Sequence, residues 1–137
     1  MARIMSIDYG TKKIGFAVTD PLQIIVNGLE TQSQESHWAF LEKYLTKEEV
    51  EIVVIGHPEH PDGSPTKLHQ HIIGLKRKIQ KNFPSVKVVL HPEAFTSEHA
   101  KEVIYKSGLG RKKRQDKKRI DKVAAMLILQ DYLGHLE

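Results

Sequence analysis

Asp8 closes an apolar segment, Arg3 to Asp8, and is followed at once by the turn Tyr9-Gly10-Thr11 and a second apolar segment, Ile14 to Thr19. A carboxylate at the end of a core strand is costly to bury unless something positive meets it there. A metal ion, a lysine or water could fill that role. Two more groups of polar residues follow apolar runs. The loop HPEHPDGSP, His57 to Pro65, carries Glu59 and Asp62 after the run Ile52 to Ile55. Glu93 lies just beyond the run Val86 to Leu90. Histidines accompany these acids, and His57, His60 and His91 would suit zinc or manganese if they met. Loop histidines are usually free, and no H-E-x-x-H helix accompanies them, so this reading ranks below the carboxylates. His69 and His71 are two apart on an expected helix, cannot share a face, and are expected at the surface.

The elements that must position these groups can be traced from pattern. Arg3 to Asp8 and Ile14 to Thr19 read as strands, and Ile24 to Thr31 as a third, broken by Asn27-Gly28. From Ser36, a cap by residue type, the spacing turns helical, with Trp38, Leu41, Tyr44 and Leu45 on one face. Ile52 to Ile55 suits a buried parallel strand ending at Gly56. A second helix is expected from about Thr66 to Asn82, then a strand from Val86 to Leu90. A third helix is expected from Thr96 or Ser97 to Gly108, and a last one with the stripe Ile120, Val123, Ala124 and Leu127, reaching about Leu133. Three antiparallel strands followed by β-α units predict an α/β fold: a five-stranded mixed sheet, three strands antiparallel and then two parallel, with helices on its faces. Sites in such sheets lie by default at the carboxyl ends of the strands, where Asp8, the histidine-rich loop and Glu93 would meet.

The 137 residues suit one domain spanning 1–137, with no repeat or linker. Cysteine is absent, which excludes disulfides and thiolate metal sites. No apolar run approaches the roughly 20 residues of a membrane span, so a cytoplasmic protein with no membrane partner is expected. Net charge is +4, and its distribution matters more than its size. Arg111 to Arg119, RKKRQDKKR, holds seven Lys/Arg and one acid, leaving 14 basic and 16 acidic residues elsewhere. A concentrated basic loop of this kind is expected to neutralise nucleic-acid phosphates through Arg111, Lys112, Lys113, Arg114, Lys117, Lys118 and Arg119, with Lys12 and Lys13 of the first turn beside them. The alternative is a solvated loop.

IDYGTKKIGFAVTDPLQII, the G-x-P-x-x-x-D-G loop from Gly56, the E-x-F-T-S after the Val86 strand, SGLGRKKR and the terminal IDKVAAMLILQDYL together resemble the YqgF family, in the family's order over nearly the whole chain. The resemblance implies an RNase H-like fold and a metal-dependent phosphodiesterase acting in pre-16S rRNA processing or on Holliday junctions. By residue match it implies a carboxylate set of Asp8, Glu93 and Asp121, Asp8 bridging, around magnesium or manganese. Clustered carboxylates are how a protein holds two hard cations about 3.5–4 Å apart. Ala124 and Ala125 would let the last helix approach the sheet closely.

The chain departs from the family where D-E-R becomes Pro92-Glu93-Ala94. An acid and an arginine able to hold a carboxylate or phosphate are missing. Glu59 or Asp62 could then supply a compensating oxygen, Glu59 first, since a neighbouring strand is nearer to Asp8 than one farther out; the alternative, ranked above it, is that Glu59 is a solvated loop acid. Two other classes stay open: a nucleic-acid-binding module with lost or weak catalysis, and a nucleotide-binding unit, because Ile7-Asp8-Tyr9-Gly10-Thr11 also resembles the phosphate turn of actin-like ATPases and sugar kinases.

Overall fold

The computed structural model describes residues 2–57, 67–92 and 117–134, the side chains of the last stretch from Val123 onward. In chain order the elements are β1 (Arg3–Tyr9), β2 (Lys13–Thr19), β3 (Val26–Gly28), β4 (Gln32–Ser33), α1 (His37–Lys47), β5 (Val50–His57), α2 (His69–Asn82), β6 (Lys87–Pro92) and α3 (Lys117–Tyr132). They form one mixed sheet in the order β3-β2-β1-β5-β6, with β4 also paired to β2. β1 pairs antiparallel with β2 and parallel with β5, and β5 pairs parallel with β6. The strand that carries Asp8 is thus the middle one.

The two-residue period of a strand assigns its side chains to two cores. Met5, Ile7 and Tyr9 of β1 join Ile14, Phe16 and Val18 of β2 and Val53 and Ile55 of β5 under α1 and α2. Leu41 and Leu45 of α1 and Ile72, Leu75 and Ile79 of α2 complete that layer, and Trp38 and Tyr44 pack against it half-buried. On the other face Ile4, Ala17 and Val54 meet Ala125, Ile128 and Leu129 of α3. The expected layering, with helices on both faces, is present.

Small residues set how close α3 comes. Ser6 is fully buried beside Ala17, and its hydroxyl donates to the Ala125 carbonyl at 2.6 Å. A larger side chain there would push the helix off the sheet. Ser6→Val is expected to lower stability by about 1–3 kcal/mol through overpacking, with the lost hydrogen bond in addition. Urea unfolding followed by circular dichroism measures it, and an unchanged midpoint would refute the close approach.

Three expectations need correction. The third strand is short and is followed by a separate sixth strand, β4, which pairs with the start of β2 through Lys13 and Ile14. The break expected at Asn27-Gly28 is present, since β3 ends at Gly28. Ser36 stands at the start of α1 but makes no capping bond; its hydroxyl instead donates to Gln32 and accepts from the Ser33 amide. Finally, Lys117, Lys118 and Arg119 belong to the backbone of α3 and not to a loop. The helix expected from Thr96 to Gly108 lies outside the described residues.

The loop after β2 is tightly held. The Asp20 carboxylate accepts from the Ile24 and Ile25 amides at 2.7 and 2.8 Å, and the Ile25 amide above all keeps its pKa below the usual aspartate value. Gln23 takes a φ of 60° to close the turn and donates to the Ala2 carbonyl.

Candidate active site

Asp8 occupies the last but one position of β1, half-buried, with the parity of Ile4 and Ser6. That parity faces α3. Gly10, two residues on, allows the turn to close: a Cβ there would collide with the Lys13 carbonyl. Gln34 closes the turn from outside, donating to the Gly10 carbonyl at 2.8 Å and accepting from the Tyr9 hydroxyl at 3.2 Å. Lys12 is exposed and Lys13 half-buried at the start of β2. Both cations stand within a few residues of the carboxylate, Lys12 in the turn and Lys13 on the antiparallel partner strand.

The neighbouring strand ends give Asp8 its surroundings. Ile7 is level with Ile55, so Asp8 lies beside Gly56, and Gly56 is level with His91 of β6. His91 also faces α3, because its Nε2 meets the Asp131 carboxylate at 2.6 Å and its ring packs edge-on against Tyr132. Asp8 and His91 therefore share one face of the sheet, two strand spacings or about 10 Å apart, with a glycine between them. Sequence reasoning missed Asp131. Nothing in the sequence pairs a strand histidine with a helix acid forty residues on.

The same parity dismantles the histidine cluster. His57 continues the row of Val53 and Ile55 toward α2, the face opposite His91, and its Nε2 lies 2.8 Å from Nδ1 of His69. The ring centroids are 5.1 Å apart, as expected when the two nitrogens point end-on at each other through one shared hydrogen. His71 is exposed as expected and stacks on Tyr9 at 6.3 Å, whereas His69 is tied to the sheet by His57.

Of the expected carboxylates, Asp8 alone has a described side chain. Asp121 lies on the backbone of α3, one helical turn before Ala125, the residue bonded to Ser6. Glu93, Glu59 and His60 lie outside the described residues, as do Arg111, Lys112, Lys113 and Arg114. Among the described residues no three His, Asp or Glu side chains gather as a metal site. No helix among them is long and apolar enough to cross a membrane.

Residues 2–135 match a family described as "RuvX: Holliday junction resolvase". The chain belongs to the RuvX/YqgF family. A relative from Flavobacterium psychrophilum, named "Putative pre-16S rRNA nuclease", is 44% identical over 133 residues, 97% of this chain and 97% of its own. One of the same name from Phocaeicola vulgatus is 40% identical over 133 residues, 97% of this chain and 96% of its own. Among solved structures, fowlpox virus resolvase with Holliday junction DNA superposes with a TM-score of 0.58 at 14% identity, covering 98% of both chains. RuvC of T. thermophilus with a Holliday junction substrate gives 0.53 at 17% identity, covering 98% of this chain and 97% of that one. At such identities the likeness shows the fold, which is RNase H-like, and RuvX membership rests on the relatives in sequence.

Proposed function

We propose that this RuvX-family chain is a divalent-metal-dependent endonuclease acting on structured nucleic acid, with precursor 16S rRNA as its substrate and branched DNA as the second class to test. The observation that carries this reading is Asp8: a half-buried carboxylate on the central strand, at the carboxyl edge where sheet enzymes of this kind place their sites. The relatives named as pre-16S rRNA nucleases direct the choice of RNA first.

Carboxylate oxygens suit magnesium and manganese, and Asp8 carries them just before a glycine turn, level with Gly15 on one side and beside Gly56 on the other. Asp8, Asp121 and Glu93 would hold the metal, which when bound supplies an activated water and stabilises the leaving oxygen. The remaining work falls to the protein's own groups. The β1–β2 hairpin keeps the Asp8 carboxylate in place. Lys12, Lys13 and the basic residues 111–119 hold phosphates and set the register of the backbone, without reading base identity.

That role for the basic segment predicts a salt effect. Changing Arg111, Lys112, Lys113 and Arg114 to Ala is expected to weaken binding and to flatten its log–log salt dependence by roughly one unit for each phosphate no longer neutralised. Equal affinity and slope for the two proteins would make the segment a solvated surface.

A second reading is favoured by one observation. β6 runs through Pro92, so a proline stands in the ladder where the family has an acid, and the next residues lack its arginine. A protein that keeps the fold and the cations but turns over slowly would be a binding module. One assay separates the two: incubation with magnesium or manganese on single-stranded RNA, a precursor rRNA fragment and a four-way DNA junction. Cleavage of any of them that is lost without metal supports the nuclease; binding with no cleavage under every condition supports the module.

A further inference from the structure

The excess charge of residues 111–119 obscures a second positive surface. α2 carries Lys76, Arg77, Lys78 and Lys81 and no acid in its fourteen residues. Its apolar stripe, Ile72, Leu75 and Ile79, is consumed in the core, so Arg77, Lys78 and Lys81 face solvent on the other side of the helix. α1 lies alongside, with Trp38 near its start under the Lys78 ammonium at 4.2 Å. Farther along, Lys43 and Lys47 are exposed one turn apart and line an open groove of about 470 Å³ that reaches Asn82 and Phe83 at the end of α2. Glu42 is the single acid on that groove. Among the described residues none of these six cations pairs with a carboxylate; the ion pairs there are Arg3–Glu48 and His91–Asp131.

Two neighbouring helices thus present unneutralised cations in rows with a repeat of one helical turn, on the face of the sheet opposite Asp8. We infer that the α1–α2 face, through Lys43, Lys47, Arg77, Lys78 and Lys81, binds the phosphate backbone of double-helical nucleic acid at a second surface, separate from the candidate active site. The excess of cations over the one groove acid, Glu42, and the lack of exposed large apolar side chains among the described residues of this face fit a phosphate surface and not a lipid one. Among the described residues the exposed large hydrophobic ones, Leu22, Ile24 and Ile25, lie in the loop after β2. The inference rests on the reading that the partner is a nucleic acid, but it does not require cleavage. A structured RNA or a junction has arms beyond its scissile bond, and this face would hold one of them.

Trp38 is the protein's single tryptophan and lies within this surface, so it reports on it directly. The experiment titrates Asp8→Asn protein, without divalent metal, with a blunt RNA duplex and follows both Trp38 emission and affinity across salt. Emission is expected to change to saturation. Replacing Lys43, Lys47, Arg77 and Lys81 together with Ala, which leaves Lys78 over Trp38, is expected to weaken duplex binding at least tenfold at low salt. The salt slope should fall by about 0.9 for each phosphate no longer neutralised. These side chains are exposed, and an unchanged melting temperature confirms the fold. Silent Trp38 emission at saturating duplex, or a four-Ala protein with the same affinity and slope, overturns the proposal. So does a Trp38 response to phosphatidylglycerol vesicles with none to duplex. Cleavage assays on the unmodified protein separate this from the nuclease reading: no cleavage with an intact Trp38 response removes the enzyme and keeps the surface, and cleavage with a silent Trp38 does the reverse.

Discussion

Asp8→Asn is expected to abolish cleavage while leaving nucleic-acid binding within a few-fold of normal. The amide keeps the shape of the side chain at the end of β1, so the hairpin with β2 and the half-buried setting are retained. What it removes is negative charge, and with it most of the affinity for a hard cation. Interactions that act on the transition state and not on the bound backbone change turnover and spare binding. A loss of about 10²–10³-fold or more is expected, the scale seen when a single electrostatic stabiliser is removed. Asp121→Asn should match it. A melting temperature raised by millimolar magnesium or manganese in the unmodified protein, and indifferent to either ion after Asp8→Asn, would tie the loss to metal, because a ligand that binds only the folded state stabilises it. An Asp8→Asn protein that still cleaves at the normal rate would remove the carboxylate site altogether.

The middle of this fold was legible because its strands alternate cleanly. Ile4, Ser6 and Asp8 fall on one face and Met5, Ile7 and Tyr9 on the other. Asp8 is legible as a strand-end carboxylate because it closes an apolar run and a glycine turn follows it. Ala124 and Ala125 were readable as a close-packing surface, and both are buried. The parts that failed were those decided by register between distant segments. His57 and His91 both stand at strand ends, and pattern alone left their meeting open as the lower-ranked reading. Pairing of Gly56 with His91 makes them neighbours across the ladder but on opposite faces, one bonded to α2 and the other to α3. The partners themselves, His69 and Asp131, lie twelve and forty residues away, beyond any local rule. Charge reading erred in a related way. Summing the chain outside residues 111–119 to a slight negative concealed that α2 is wholly basic, its acids lying on other elements.

The third carboxylate is where proximity and family resemblance disagree. β5 is adjacent to β1 and β6 is one strand farther, which favours Glu59 on distance. Both acids lie outside the described residues. The residue match gives the role to Glu93, and His91, the last half-buried residue before it, has its side chain on the Asp8 face. Glu93→Gln is therefore expected to lower the cleavage rate by orders of magnitude with little change in binding, and Glu59→Gln to behave as a surface substitution. Single-turnover rates of the two variants on one precursor rRNA fragment, at saturating protein and with magnesium or manganese, make the comparison. The reverse result, with Glu59→Gln inactive and Glu93→Gln normal, would mean that the Pro92-Glu93-Ala94 departure has moved the ligand to the loop after the neighbouring strand.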